Sequence, residues 1–145
     1  MHEIKTEIEI GVPPDRVWQI LLDFPAYPQW NPFIRSIAGV ARFGECLTVS
    51  IQPQGGRAMT FRPTLLAVTP NQELRWLGRF LLPGIFDGEH CFQIVPVAAD
   101  RVRFIQSERF SGLLVALAIS QLERGTKAGF VAMNQALQAR AKTPA

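Results

Sequence analysis

Glu3-Ile4-Lys5-Thr6-Glu7-Ile8-Glu9-Ile10-Gly11-Val12-Pro13-Pro14-Asp15-Arg16-Val17-Trp18-Gln19-Ile20-Leu21-Leu22 holds the decision about the fold. Residues 3 to 10 put Ile4, Thr6, Ile8 and Ile10 on one side and Glu3, Lys5, Glu7 and Glu9 on the other, the period of two that marks a half-buried strand. Gly11 to Pro13 break that strand. Pro14 suits the first helical position and Asp15 the positive end of a helix dipole. Val17, Trp18, Leu21 and Leu22 then recur at helical spacing until Phe24-Pro25 closes the helix.

Outward from this strand and helix, Ala26 to Phe33 carries three aromatics and two prolines, which suits a short irregular or one-turn element packed over one end of a sheet. From 34 to 110 short strand-like runs alternate with turns at Gly39 to Gly44, Pro53 to Gly56, Thr69 to Asn71, Pro83-Gly84 and Ala98 to Asp100. That spacing predicts roughly six further strands joined as an antiparallel meander. Pro63 has no N–H to give a ladder, so its strand must be bulged or lie at an edge. After Gly112 the period changes. Leu117, Gln121, Leu122, Thr126, Phe130, Met133, Asn134 and Leu137 fall near one face of a long helix reaching about Ala141, with Lys127, Gln138 and Arg140 off it.

One strand, one or two short helices, six strands and a last long helix describe an α+β protein. The expected layout is a bent seven-stranded antiparallel sheet around the long C-terminal helix, a helix-grip arrangement. With no linker or repeat, residues 1–145 read as one domain.

Composition excludes several functions. The chain is 48% hydrophobic and 19% charged, too apolar for disorder. Its net charge of +3 comes from arginines scattered along the sequence rather than from a basic stripe, which argues against nucleic acid as a partner. Cys46 and Cys91 belong to no metal-ligand cluster and read as core thiols, so neither metal nor other cofactor is expected. The N-terminus lacks the apolar run of a signal peptide, and no stretch has the roughly 20 apolar residues of a membrane span, so a cytoplasmic protein is expected.

Val12-Pro13-Pro14-Asp15-Arg16-Val17-Trp18-Gln19-Ile20-Leu21-Leu22-Asp23-Phe24, the Tyr27-Pro28-Gln29-Trp30-Asn31-Pro32-Phe33 that follows, and Phe130 to Leu137 near the other end resemble the START/Bet v 1-like (SRPBCC) superfamily. The resemblance is in particular to its bacterial polyketide cyclase/dehydrase and lipid-transport-like members. Leu74 to Gly78, Gly88 to Phe92 and Gln106 to Gly112 resemble that group's successive sheet motifs. The resemblance implies a helix-grip fold with an apolar cavity. It does not single out an activity, because the superfamily includes cyclases, lipid carriers, receptors and co-chaperone domains.

Strand alternation names the residues that would line such a cavity. Leu74, Trp76, Gly78 and Phe80 form one inward row; Phe86, Gly88, His90, Phe92 and Ile94 form the next; Val102, Phe104, Gln106, Glu108 and Phe110 form the third. If the last two pair as a hairpin about Ala98 to Asp100, His90 faces Glu108 and Ile94 faces Phe104. The candidate ligand-binding set is therefore Trp76, Phe80, Phe86, His90, Phe92, Phe104, Gln106 and Glu108, with Phe130 and Asn134 from the long helix. Trp18 and Trp30 read as core and lid packing, and His2 as a solvated terminal residue.

His90 and Glu108 are the candidate catalytic pair, since a carboxylate beside an imidazole can move a proton. A structural pair that shapes the cavity is the alternative. No nucleophile or metal cluster completes a reaction around them. The expected function is binding of a small hydrophobic molecule (lipid, isoprenoid or polyketide-like), with a cyclase/dehydratase-type enzyme and a protein-interaction module using Leu113 to Ile119 as alternatives.

Overall fold

The computed structural model describes residues 1–80 and 82–144. Strand β1 (His2–Ile10) leads into helix α1 (Pro14–Leu22), a 3-10 turn (Phe24–Ala26) and the one-turn helix α2 (Tyr27–Trp30). Seven strands follow: β2 (Ile34–Ala38), β3 (Thr48–Ile51), β4 (Met59–Phe61), β5 (Thr64–Thr69), β6 (Glu73–Phe80), β7 (Phe86–Ala98) and β8 (Arg101–Ser111). The chain ends in α3 (Val115–Gln121), a π turn (Leu122–Thr126) and α4 (Lys127–Ala141).

The strands form a five-stranded sheet in the order β1-β8-β7-β6-β5 and a three-stranded sheet in the order β2-β3-β4, with every pairing antiparallel. The expected seven strands are thus eight among the described residues. The extra one arises at Arg62-Pro63, where the imino acid interrupts a single run and splits it into β4 and β5. The two sheets still meet there: Leu47 donates to the Pro63 carbonyl at 2.9 Å, and Cys46 bridges Thr64. β1 joins β8 across almost the whole chain length, which closes the sheet around the C-terminal helix.

Inward residues of the sheet meet α4 in the core. Ile4, Ile10, Leu74, Trp76, Phe92, Val102 and Phe104 are buried, as are Phe130, Met133 and Leu137 opposite them. Burying each such side chain contributes about 1.5–3 kcal/mol against leaving it in water. α1 packs against the C-terminal end of α4 through a contact that spacing could not reveal. The Arg16 guanidinium donates to the carbonyls of Arg140, Ala141 and Thr143 at 3.3, 3.4 and 2.8 Å. Arg140 and Ala141 belong to the last turn of α4, whose carbonyls have no i+4 donor within the helix, Thr143 lies just beyond it, and a cation there also complements the helix dipole.

The helix face differs from the expected one before the π turn. Val115, Ala118 and Leu122 face inward there, whereas Leu117 is 84% exposed. One turn with an i to i−5 hydrogen bond (Lys127 N to Leu122 O) offsets the phase of α3 from that of α4. Gln54 N donates to the Gly125 carbonyl in that turn at 3.3 Å, so a helical acceptor is turned to the loop after β3.

Neither cysteine is a core residue. Cys46 is exposed, and Cys91 is half-buried on the outer sheet face among Glu73, Arg75, Glu89 and Arg109. Outward alternation from the buried His90 and Phe92 accounts for the second. Burial, reinforced by Glu73, pushes the Cys91 thiol up to about 11. At pH 8 its thiolate is therefore scarce, and iodoacetamide should modify Cys91 at least about tenfold more slowly than Cys46 in the folded protein. Peptide mass mapping of a time course measures this, and equal rates would contradict it. His2 is not merely solvated either: its Nε2 lies 2.7 Å from Glu123 Oε1.

Candidate functional site

At its C-terminal half the long helix closes on the sheet; at its N-terminal half it stands away and leaves a cavity. The outer part has a volume of about 750 Å³ and lies between α3, the π turn, the Pro53–Arg57 loop and the facing ends of β6 and β7. Leu114, Ala118 and Gln121 line it from the helix, Arg57 and Met59 from the loop side, and Phe80 and Phe86 from the sheet. Past Met59, Phe80, Phe86, Leu122 and Thr126 it narrows into an inner chamber of about 70 Å³. Phe33, Ile34, Ile51, Phe61, Trp76 and Phe110 complete the chamber's apolar wall.

Three lining residues of that chamber are polar: His90, Glu108 and Thr126. β7 and β8 pair in the expected register, with His90 opposite Glu108 and Ile94 opposite Phe104. His90 Nδ1 lies 3.1 Å from Glu108 Oε1, with 4% and 13% of the two side chains exposed. Gly88 precedes His90 by two and shares its face. A Cβ at Gly88 would collide with Glu108 Oε2, so the missing side chain makes room for the carboxylate.

Behind His90 runs a buried hydrogen-bond chain. His90 Nε2 meets Gln106 Oε1 at 3.0 Å, and Gln106 Nε2 donates to Asn134 Oδ1 at 2.8 Å and to the Phe130 carbonyl at 3.4 Å. Asn134 Nδ2 donates to Thr6 Oγ1 at 2.9 Å, and Thr6 Oγ1 donates to the Gln106 carbonyl at 3.2 Å. The chain ties β1, β7, β8 and α4 together through groups that would each be costly to bury unpaired.

The expected ligand set therefore divides in two. Trp76, Phe80, Phe86, His90 and Glu108 line the cavity. Phe92, Phe104, Gln106, Phe130 and Asn134 lie behind it in the closed half, where Phe92 and Phe104 stack with ring centres 6.0 Å apart. Inward alternation names both groups alike, because it reports the face and not the depth. Trp18 is core and Trp30 packs beside Tyr27 with ring centres 5.2 Å apart; neither lines the cavity. The residues alternation missed come from the segment before β2, from β2 to β4, from α3 and from the π turn, notably Phe33, Phe61 and Thr126. The only hint of Phe61 was Pro63, which marks the end of its strand. Among the described residues no three His, Cys, Asp or Glu side chains gather as metal ligands, and no helix is long and apolar enough to cross a membrane.

Residues 1–142 match the family model described as polyketide cyclase/dehydrase and lipid transport. The chain belongs to that family. Among solved structures, this family member resembles the ZhuI aromatase/cyclase from Streptomyces sp. R1128, with a TM-score of 0.79 at 15% identity over 97% of this chain and 93% of that one. It also resembles a START superfamily protein from Mycobacterium smegmatis, with a TM-score of 0.75 at 20% identity over 98% of each chain. A hypothetical protein from Helicobacter pylori gives 0.78 at 16% identity over 97% and 88%. At these identities the likeness is one of fold. No curated protein matches the sequence at a significant level.

Proposed function

We propose that this polyketide cyclase/dehydrase and lipid transport family member binds a small hydrophobic molecule in the cavity between the N-terminal half of the long helix and the sheet. One observation carries the reading: an open apolar groove of about 750 Å³ narrows into a chamber lined mainly by aromatic and aliphatic side chains and ending on His90 and Glu108. That is the make-up of a small-molecule site, with apolar walls for affinity and a few polar groups for orientation. Each ligand CH2 moved from water into such walls contributes about 0.8 kcal/mol before the cost of association. The test is native mass spectrometry of protein purified without detergent, followed by organic extraction. A reproducible bound molecule of a few hundred daltons is expected. A chain that stays at its own mass when titrated with a graded series of apolar compounds would refute the reading.

The His90–Glu108 contact supports a second reading, a cyclase/dehydratase-type enzyme in which this pair moves a proton on a ligand held in the same cavity. Glu108→Gln separates the two. A binding protein keeps most of its affinity; an acid/base enzyme loses at least about two orders of magnitude in kcat while binding persists. An unchanged kcat with a turned-over compound removes Glu108 from the chemistry.

A further inference from the structure

We infer that the cavity selects ligands that present a hydrogen-bond donor, an alcohol or phenol, to Glu108 Oε2, and disfavours ethers and carboxylates of the same shape. This deepens the binding reading above and rests on it. Two backbone carbonyls, which can only accept, set the hydrogen-bond directions. Thr6 Oγ1 gives its hydrogen to the Gln106 carbonyl, so it must accept from Asn134 Nδ2. The Asn134 amide is thereby oriented with Oδ1 toward Gln106 Nε2, and the Phe130 carbonyl independently requires a donor at the same place. Gln106 must then turn Oε1 to His90, and His90 Nε2 must carry a hydrogen.

With Nε2 protonated, the His90 Nδ1 to Glu108 Oε1 contact has two complementary forms. An imidazolium donates from Nδ1 to a carboxylate, or a carboxylic acid donates from Oε1 to a neutral imidazole. The alternative, a neutral ring beside a carboxylate, sets two acceptors against each other at 3.1 Å. In both complementary forms the shared proton lies between Nδ1 and Oε1. Oε2 is left with lone pairs only; it lies over Gly88, and Glu108 itself lines the chamber. Thr126, the other polar residue of the chamber, has a hydroxyl that serves donors and acceptors alike, and Arg57 stands in the outer groove rather than in the chamber, so discrimination within the chamber falls to Glu108.

Isothermal titration of the wild-type chain with 2-naphthol, 2-methoxynaphthalene and 2-naphthoate tests this. The naphthol should bind about tenfold or more tightly than the ether, and the naphthoate most weakly. Glu108→Gln should keep the preference for naphthol, because the neutral His90 Nδ1 then takes the glutamine N–H and leaves its oxygen facing the chamber. Glu108→Leu, with its fold checked by circular dichroism, should bring naphthol to within about twofold of the ether. Equal or tighter binding of the ether or the naphthoate in the wild type overturns the inference and leaves cavity binding standing. A preference that survives in Glu108→Leu overturns it as well. If none of the three probes binds, the cavity reading fails and takes the inference with it. The wild-type and Glu108→Gln series decide the matter even if Glu108→Leu does not fold.

Discussion

Gln106→Leu is expected to lower the unfolding free energy by about 3 kcal/mol, although leucine is close to glutamine in size and more apolar. Gln106 is fully buried, and its amide supplies the partner of His90 Nε2 on one side and of Asn134 Oδ1 on the other. Leucine removes both partners and leaves a buried donor and a buried acceptor unsatisfied, at about 1–3 kcal/mol each. The apolar gain of the leucine offsets part of that. Urea unfolding followed by circular dichroism, at an unchanged m-value, measures the difference. A loss below about 1 kcal/mol would mean that water reaches these groups and that the chain from Thr6 to Glu108 is not a closed network. Because a His90 ring freed to carry its hydrogen on Nδ1 still donates to Glu108 Oε1 and leaves Oε2 an acceptor, the preference for 2-naphthol should survive the loss of stability.

Phe130→Ala should cost about 3–5 kcal/mol and depress the thermal midpoint by roughly 10 °C. The ring is fully buried where α4 closes on the sheet, edge-on to His90 at 4.9 Å and to Phe33 at 5.5 Å between ring centres. Gly129 beside it has no room for a Cβ because the Phe33 ring lies there, so helix and wall are packed too closely to collapse into the space left by the truncation. Differential scanning calorimetry gives the result directly, and a shift of less than about 3 °C would show that the closed half tolerates a void. His90 and Phe33 both line the inner chamber, and loss of the ring behind them should enlarge it. Part of the lost stability should therefore return on adding 2-naphthol, as ligand binding to the folded state alone requires.

Much of the site was legible in particular residues. His90, Gln106 and Glu108 stood out as polar members of apolar inward rows, and their rows follow from strand periodicity. The pairing of His90 with Glu108 followed from the position of one turn, because an antiparallel register is set once its hairpin is placed. Thr6 carried a weaker signal as the one hydroxyl among Ile4, Ile8 and Ile10. Asn134 was visible on the helix face, but its partners lie 28 positions away at Gln106 and 128 away at Thr6, beyond any local pattern.

Other features carried no such signal. Cys91 is different: composition reads it as a core thiol, whereas its offset by one from the inward His90 puts it on the outer face, where it lies. Leu117 fits one unbroken helical period with Leu122 and Phe130, and it is exposed because the π turn breaks that period. Arg16 gave no hint that it caps a helix ending 125 residues later.

By itself, the sequence determined the α+β composition, the strand-and-helix order, the inward faces and the β7–β8 register. These depend on side-chain alternation, turn residues and helical periodicity, all of which act between neighbours in the chain. Tertiary structure alone decided how far down the long helix the sheet closes, and so which inward residues line space and which are solid core. It also decided which polar groups meet, and hence that His90 Nε2 bears a hydrogen and Glu108 Oε2 does not. Depth and hydrogen-bond direction arise from contacts between elements remote in sequence, and no local pattern encodes them.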